Sequence, residues 1–163
     1  MAELLPVSPF DAVIFGATGD LAQGKLLPAL FHRWCDGQIP EQSRIVAVAR
    51  EPMSADEFRA LVGERIAPKA GDDERRKAWQ AFAAHLDYVA LDVADAGEGW
   101  TGLTDALDPD PGKIRLFYLA LPPALYGPVC GAIAEHGLRT ANARIVLEKP
   151  IGHDFHSARE INR

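Results

Sequence analysis

The chain has 163 residues, of which 48% are apolar and 25% are charged, and its formal net charge is −6. This length accommodates one domain with a sizeable core, or part of a larger one. The negative charge argues against nonspecific nucleic-acid binding, because such binding needs a basic face that neutralises phosphates. No apolar stretch is long enough to cross a membrane, and residues 1–6 lack the basic and apolar regions of a secretory signal. We therefore expect a cytoplasmic domain that binds neither nucleic acid nor membrane.

Apolar, strand-like runs alternate with helical patterns along the chain, which is typical of a parallel sheet with crossover helices. The sequence predicts five strands, at residues 11–16, 45–49, 88–91, 114–121 and 143–147. The fourth run is the longest, so we expect it at the centre of the sheet. The prediction is one doubly wound, mostly parallel α/β domain of the Rossmann-like type over residues 1–163. We expect it to be incomplete at its C-terminal end, because a helix that begins at Asp154 has no room to finish.

Helical stripes fill the segments between these runs. The first helix carries Leu27 and Phe31 on one face, and we expect a kink at Pro28 because proline lacks an N–H group. Ser54 and Glu57 show the pattern of a capping box at the start of the second helix. Further helices are predicted at about residues 73–86, around residues 100–107 and from Tyr126 to Gly137.

Glycines follow the first predicted strand, at the point where a helix begins. The sequence there reads Gly16-Ala17-Thr18-Gly19-Asp20-Leu21-Ala22. Glycine allows a tight turn and a close approach of the backbone to a pyrophosphate, and the start of a helix offers free N–H groups to an anion. The spacing is G-x-x-G-x-x-A and not G-x-G-x-x-G, so an ordinary strand–turn–helix without a ligand is the alternative interpretation.

Charged residues follow the second and fifth strands, and ligands of doubly wound sheets bind at the carboxyl ends of the strands. Arg50 occupies the place where NAD-binding domains usually carry an acidic residue for the ribose hydroxyls. A guanidinium there favours the 2′-phosphate of NADP through charge-assisted hydrogen bonds. The alternative is a surface arginine paired with Glu51. Lys149 is placed to meet an anionic ligand, or else extends along the surface as an ordinary lysine.

Histidines and cysteines give little indication of a metal site. His153 and His156 stand three residues apart with Glu160 nearby, but three ligands on one terminal segment are weak support for zinc. Cys35 and Cys130 lie within helical apolar patterns, and we expect both to be small core residues. We therefore expect no metal ion.

Three segments, taken together, point to one family. They are Gly16 to Ala22 with Lys25 and Pro28, then Phe117-Tyr118-Leu119-Ala120-Leu121-Pro122-Pro123, and then Glu148-Lys149-Pro150-Ile151-Gly152. In this order and spacing they resemble glucose-6-phosphate dehydrogenase, and the resemblance covers essentially the whole chain. The chain departs from the family at Thr18, usually serine, at Ile151, often phenylalanine, and at Gln23-Gly24, where lysines are common.

The resemblance implies a coenzyme, NADP, and a set of residues that hold it. It places the pyrophosphate against the glycine turn, the 2′-phosphate at Arg50, and the sugar phosphate substrate at Lys149 and Lys25. The coenzyme-binding residues that it implies are Gly16, Ala17, Thr18, Gly19, Asp20, Leu21, Ala22, Gln23, Arg50, Asp92, Val93, Tyr118 and Lys149.

The resemblance also implies an activity for the full-length protein. This is the oxidation of D-glucose 6-phosphate to 6-phosphoglucono-1,5-lactone with NADP, the entry to the pentose phosphate pathway, by a homo-oligomer. The family's general base is a histidine in an Arg-Ile-Asp-His-Tyr-Leu-Gly-Lys-Glu segment, which we expect after residue 163 together with a C-terminal α+β substrate domain. We assign no catalytic residue to this chain and expect no turnover from it alone.

Two other functions stay open on the residues alone. A self-contained NADP-dependent reductase or epimerase also uses a G-x-x-G-x-x-G/A turn, but it predicts a Tyr-x-x-x-Lys pair after the fourth strand. Neither Tyr118 nor Tyr126 is followed by lysine at that spacing. A non-enzymatic nucleotide-sensing module predicts no particular preference between NAD and NADP, so the effect of Arg50→Ala on NADP affinity separates it from a dehydrogenase.

Overall fold

The computed structural model describes residues 7–67, 72–94 and 97–149, together with Arg159. The helix predicted from Asp154 and the group His153, His156 and Glu160 lie outside the described residues. Residues 1–6, which lack the pattern of a secretory signal, also lie outside the described residues.

Five parallel strands form one sheet in the order β3-β2-β1-β4-β5. The strands are β1 (Phe10–Phe15), β2 (Arg44–Ala49), β3 (Leu86–Ala90), β4 (Ile114–Leu119) and β5 (Ala143–Leu147). The chain moves outward from β1 through β2 to β3, then crosses back to β4 beside β1 and continues to β5. The order therefore reverses between β1 and β4, as in doubly wound folds, and confirms the predicted fold class.

Helices cover both faces of the sheet. They are α1 (Leu27–Cys35), α2 (Ala55–Ile66), α3 (Asp73–Ala83), α4 (Glu98–Ala106) and α5 (Tyr126–Glu135). Phe31, Phe58 and Phe82, from α1, α2 and α3, pack in one apolar core. Trp100 and Val129, from α4 and α5, pack in a second core on the opposite face. The result is a three-layer sandwich in which the sheet is the middle layer.

Helix starts follow the predicted capping chemistry. Ser54 Oγ accepts a hydrogen bond from the Glu57 amide at 3.2 Å, and Glu57 Oε2 accepts one from the Ser54 amide at 2.7 Å. This reciprocal capping box satisfies two N–H groups at the start of α2. The hydrogen bond from the Ser54 backbone lowers the pKa of Glu57 below its usual value.

The central strand is β1 and not β4, so the prediction for β4 is wrong in its position. All six residues of β1 are buried, whereas buried and half-buried residues alternate along β4. The apolar run is long because it continues past the end of β4, through Ala120 and Leu121, into a loop. β4 lies between β1 and β5, and β5 is at the edge.

The helix before β3 ends earlier than its apolar stripe predicts. It stops at Ala83, and Leu86 belongs to β3, where its side chain is fully buried. The turn is closed by a hydrogen bond from the His85 amide to the Phe82 carbonyl at 2.9 Å. Leu86 has the spacing of the apolar helical positions before it, and for this reason the sequence predicts a helix that extends too far.

The first helix begins with one π turn, Ala22–Leu26, which joins α1 directly. Pro28 is the second residue of α1, so its missing N–H falls directly after the π turn, where the helix changes to α geometry. The irregular part of the helix is therefore the π turn before Pro28, whereas the sequence predicts a kink at Pro28 itself. Cys35, predicted to be a core residue, is exposed at the last position of α1, and Cys130 is half-buried. The prediction for Cys35 is wrong. Trp34 is the last residue of α1 that packs against the core, and Cys35 lies outside the apolar face.

Candidate functional site

The glycine turn after β1 is fastened to its neighbours on both sides. Gly16 has φ +78°, and a Cβ atom there would lie 2.2 Å from the Ala120 carbonyl oxygen, so only glycine fits. The amides of Gly16 and Ala17 donate to the Val48 carbonyl at 2.9 and 3.1 Å, and the Ala120 amide donates to the Phe15 carbonyl at 3.0 Å. These contacts hold the turn against the carboxyl ends of β2 and β4.

A cleft of about 450 Å³ opens at this edge of the sheet, where the strand order reverses. Its lining residues come from the ends of four strands and the loops that follow them. They are Gly16, Thr18, Gly19, Val48, Ala49, Arg50, Glu51, Leu91, Asp92, Val93, Ala120, Leu121, Pro122 and Leu125. The lining therefore combines apolar side chains with a few polar groups, as small-molecule sites usually do.

The carboxylate of Glu51 is held in place at the rim of this cleft. Thr18 Oγ1 donates to Glu51 Oε2 at 3.0 Å, which links the turn after β1 to the end of β2. The Tyr88 hydroxyl of β3 donates to the Glu51 carbonyl at 2.6 Å. Burial raises the pKa of Tyr88 to about 12, and the negative charge of Glu51 acts in the same direction.

Arg50, in contrast, extends from the end of β2 without a partner. Its side chain is exposed, and it makes no ion pair or hydrogen bond with any residue that the structure describes. The pairing of Arg50 with Glu51, which the alternative interpretation predicts, is therefore absent from the described residues, and Glu51 bonds to Thr18 instead. The free guanidinium stands at the rim of the cleft beside the glycine turn.

The cleft brings together some of the residues predicted to bind a coenzyme. Those that line it are Gly16, Thr18, Gly19, Arg50, Asp92 and Val93. Asp92 Oδ1 accepts a hydrogen bond from the Ala94 amide at 3.0 Å, so its loop forms a local turn after β3. Asp20 and Lys25 are exposed and Leu21 is half-buried, and none of these three lines the cleft.

Other predicted residues of the turn face the interior. Ala17 and Ala22 are fully buried, and Gln23 is 2% exposed. Gln23 Nε2 donates to the Ala17 carbonyl at 2.8 Å, while its Oε1 atom has no partner among the described residues. These three side chains face away from the cleft, so a contact with a ligand would have to come from the backbone.

The backbone amides of the turn are only partly free. Those of Gly16, Ala17 and Gly19 already donate within the protein, the last to the Gly16 carbonyl at 3.0 Å. The amides of Thr18 and Asp20 have no acceptor within the described part of the chain. These two N–H groups, at the start of the first helix, are available to an anion.

Tyr118 and Lys149 stand apart from the cleft. The Tyr118 hydroxyl donates to the Glu148 carboxylate, and the Tyr126 hydroxyl donates to the Glu148 carbonyl at 3.1 Å. Burial, together with the hydrogen bond to Glu148, raises the pKa of Tyr118 to about 12. Tyr118 also lines a separate apolar cavity of about 250 Å³. Contact of Tyr118 and Lys149 with a coenzyme therefore stays a prediction, and the two tyrosines fix the residue just before exposed Lys149.

Sequence reasoning misses the part that Glu51 plays. It treats Glu51 only as a partner of Arg50, whereas Glu51 bonds to Thr18, 33 positions earlier in the chain. An acidic residue directly after the strand-end arginine is the signal that could have found it. Leu91 and Leu125, which also line the cleft, carry no such signal, because ordinary core residues look the same in a sequence.

Neither a metal centre nor a membrane span is found in the described residues. No group of three or more His, Cys, Asp or Glu side chains in residues 7–67, 72–94 and 97–149 could hold a metal ion. No helix in that part of the chain combines the length and the apolar character that crossing a membrane requires.

Comparison with known families decides the relationship. The family described as "Glucose-6-phosphate dehydrogenase, NAD binding domain" matches residues 13–163. The chain belongs to the glucose-6-phosphate dehydrogenase family. The resemblance found in the three sequence segments is thereby confirmed. A nicotinamide dinucleotide is the type of coenzyme that this membership supports.

Individual relatives agree with this assignment. Glucose-6-phosphate 1-dehydrogenase of Rhizobium meliloti (strain 1021) is 42% identical over 162 residues, which cover 99% of this chain and 33% of that protein. The crystal structure of glucose-6-phosphate 1-dehydrogenase from Mycobacterium avium aligns with a TM-score of 0.81 and 31% identity, over 94% of this chain and 32% of that one. A glucose-6-phosphate dehydrogenase in complex with its substrate glucose 6-phosphate aligns with a TM-score of 0.80 and 30% identity, over 99% of this chain and 34% of that one. The chain spans about a third of the length of these relatives.

Proposed function

We propose that the chain is an NADP-binding domain and that the cleft at the carboxyl ends of the strands holds the coenzyme. The observation that carries this proposal is Arg50, a guanidinium without a partner among the described residues, at the end of β2 and at the rim of that cleft. A 2′-phosphate would supply the partner that Arg50 lacks, through charge-assisted and bidentate hydrogen bonds.

The rest of the coenzyme fits the same cleft by its chemistry. We assign the pyrophosphate to the free amides of Thr18 and Asp20, because anions bind at the N–H groups of a helix start. The adenine lies against the apolar side chains of Leu91 and Val93, beside Asp92. When bound, the nicotinamide accepts a hydride from the substrate, and the chain's residues orient the coenzyme for that transfer.

For the full-length protein we propose oxidation of D-glucose 6-phosphate to 6-phosphoglucono-1,5-lactone with NADP. Its support is the family membership and the relative whose structure was solved with glucose 6-phosphate. Lys149 and Lys25 are the cations proposed to meet the sugar phosphate, and both are exposed. A cytoplasmic location and a homo-oligomeric assembly of the full-length enzyme are part of the same proposal.

The decisive test is the affinity of Arg50→Ala for NADP+, measured by isothermal titration calorimetry on this chain. Loss of a charge-assisted contact to the 2′-phosphate raises the Kd of NADP+ about 10- to 100-fold. The Kd of NAD+, which carries no 2′-phosphate, changes by less than about threefold. Arg65→Ala, an exposed arginine near the end of α2, is the matched control and leaves both constants unchanged. Equal NADP+ affinity in the wild-type chain and Arg50→Ala would contradict the proposal.

A further inference from the structure

We propose that Glu51 is a second determinant of coenzyme choice. Its carboxylate accepts a hydrogen bond from the 2′-hydroxyl of the adenosine ribose, so that the cleft binds NAD+ as well as NADP+. Thr18 is a positioning residue that holds this carboxylate. The inference rests on the proposed function, since it concerns the same cleft.

The geometry singles out Glu51 because it is fixed at two points. Its side chain accepts from Thr18 Oγ1 at 3.0 Å, and its backbone carbonyl accepts from the buried Tyr88 hydroxyl at 2.6 Å. These partners come from the turn after β1 and from β3, the two neighbours of β2 in the sheet. Tyr88 holds the backbone of Glu51 and Thr18 holds its carboxylate, so the side chain is oriented before a ligand arrives, which lowers the entropy cost of binding.

One oxygen of this carboxylate stays open for a ligand. Thr18 bonds to Oε2, and Oε1 has no partner among the described residues. An ionised carboxylate accepts several hydrogen bonds, and at the end of the second strand of a dinucleotide-binding sheet it is the group that accepts from the ribose hydroxyls. The fixed carboxylate of Glu51 therefore matches the chemistry of an NAD+ ribose.

Arg50 and Glu51 then act in opposite directions on the 2′ position. Arg50 has no partner to hold it, so its guanidinium can turn toward a 2′-phosphate or away into solvent. The 2′-phosphate carries more than one negative charge, and it is repelled by the neighbouring Glu51 carboxylate. The preference for NADP+ is consequently weaker than Arg50 alone would give.

The experiment measures the Kd of NAD+ and of NADP+ by isothermal titration calorimetry for the wild-type chain and for Glu51→Gln. Glu51→Gln keeps the shape and removes the charge, so NAD+ binding weakens and NADP+ binding strengthens. Their Kd ratio then shifts about tenfold toward NADP+, as expected when a charge-assisted hydrogen bond becomes a neutral one. Glu64→Gln, an exposed glutamate of α2, is the matched control and leaves the ratio unchanged.

Thr18 provides a second variant that separates positioning from a general structural effect. Thr18→Val removes the hydroxyl but keeps the shape and the backbone amide, and we expect the Kd of NAD+ to rise about threefold. Thr18→Ser keeps the donor and restores the wild-type NAD+ affinity. An unchanged NAD+ affinity in Thr18→Val, or a failure of Thr18→Ser to restore it, would overturn the positioning role.

The outcomes separate the inference from the proposed function. If NADP+ binding depends on Arg50 but Glu51→Gln leaves the Kd ratio within about twofold of wild type, the inference is overturned and the proposed function stands. If the wild-type chain binds neither dinucleotide, both are overturned.

Discussion

At the scale of single residues, Tyr88 couples the stability of the domain to the geometry of the cleft. Its side chain is 7% exposed, and its hydroxyl donates to the carbonyl of Glu51. Burial raises the pKa of Tyr88 to about 12, above the usual value near 10. The neutral phenol is therefore favoured by folding, and its contribution to stability is fully present below pH 10 and is lost as the pH rises from 10 to 12.

The test of this coupling is Tyr88→Phe, followed by urea denaturation between pH 9 and 12. The raised pKa of Tyr88 corresponds to roughly 2 kcal/mol of stability lost over that range by the wild-type chain. Phenylalanine cannot ionise, so the decline in Tyr88→Phe is smaller by about that amount. All other titrating groups are common to both chains. Parallel declines in the two chains would show that Tyr88 does not titrate in this way.

The sequence predicts Arg50 but not the surroundings of Glu51. Arg50 is found because one rule, the residue at the end of the second strand, places it at the ligand edge. The position of Glu51 depends on Thr18, in the turn after β1, and on Tyr88 of β3, which lie 33 and 37 positions away in the sequence. Only the packing of β1, β2 and β3 side by side creates these contacts. Local sequence patterns do not predict contacts of this kind.

At the scale of elements, the turn between β1 and the first helix is shaped by its contact with the end of β4. Gly16 lies against the backbone of Ala120 with a positive φ angle. A side chain there would be strained by its backbone conformation and would also push β4 away. The cleft is bounded by both elements, so its shape depends on this contact.

Gly16→Ala tests how strongly this contact holds the fold. We expect the free energy of unfolding, measured by urea denaturation at pH 7, to fall by about 2–4 kcal/mol, since backbone strain and overpacking add. Gly131→Ala is the matched control, because Gly131 lies in the middle of α5 with nothing within 4 Å of an added Cβ. This control should gain up to about 1 kcal/mol. A loss below about 0.5 kcal/mol in Gly16→Ala would refute the close contact.

Elements are predicted from the sequence where periodicity and capping agree, as at α2 with its capping box at Ser54. The bounds of an element are predicted wrongly where a side chain would be buried in a helix and in a strand alike. Leu86 fits both a helical stripe and a strand, and only the turn at His85 decides between them. The π turn at Ala22–Leu26 is another example, since it accompanies burial of the Gln23 amide, which the sequence does not indicate.

At the scale of the whole molecule, the topology concentrates the candidate site at one edge of the sheet. A cleft of about 490 Å³ also exists at the opposite edge, beside the amino ends of β2 and β3. Two of its arginine side chains are already engaged. Arg59 Nε donates to the Leu86 carbonyl at 2.9 Å, and Arg44 pairs with Asp108 at 3.6 Å. Ligands of doubly wound sheets bind at the carboxyl ends of the strands. The larger volume of the cleft at the opposite edge therefore does not make it the binding site.

The order of the strands could be anticipated only in part. Alternation of strands and helices predicts a parallel sheet, and the glycine turn identifies β1 as its functional strand. The return of the chain to β4 beside β1 is a tertiary feature, and the long apolar run at residues 114–121 led to the wrong strand at the centre.

The most direct test of the central claim is amide NMR of the isotope-labelled chain during titration with NADP+. If this cleft holds the coenzyme, we expect saturable shifts at the amides of Thr18, Asp20, Arg50 and Asp92, which lie at or beside it. The amide of Ser43, in the cleft at the opposite edge, should not move. Shifts centred on the opposite edge, or none at all at millimolar NADP+, would contradict the claim that this cleft holds the coenzyme.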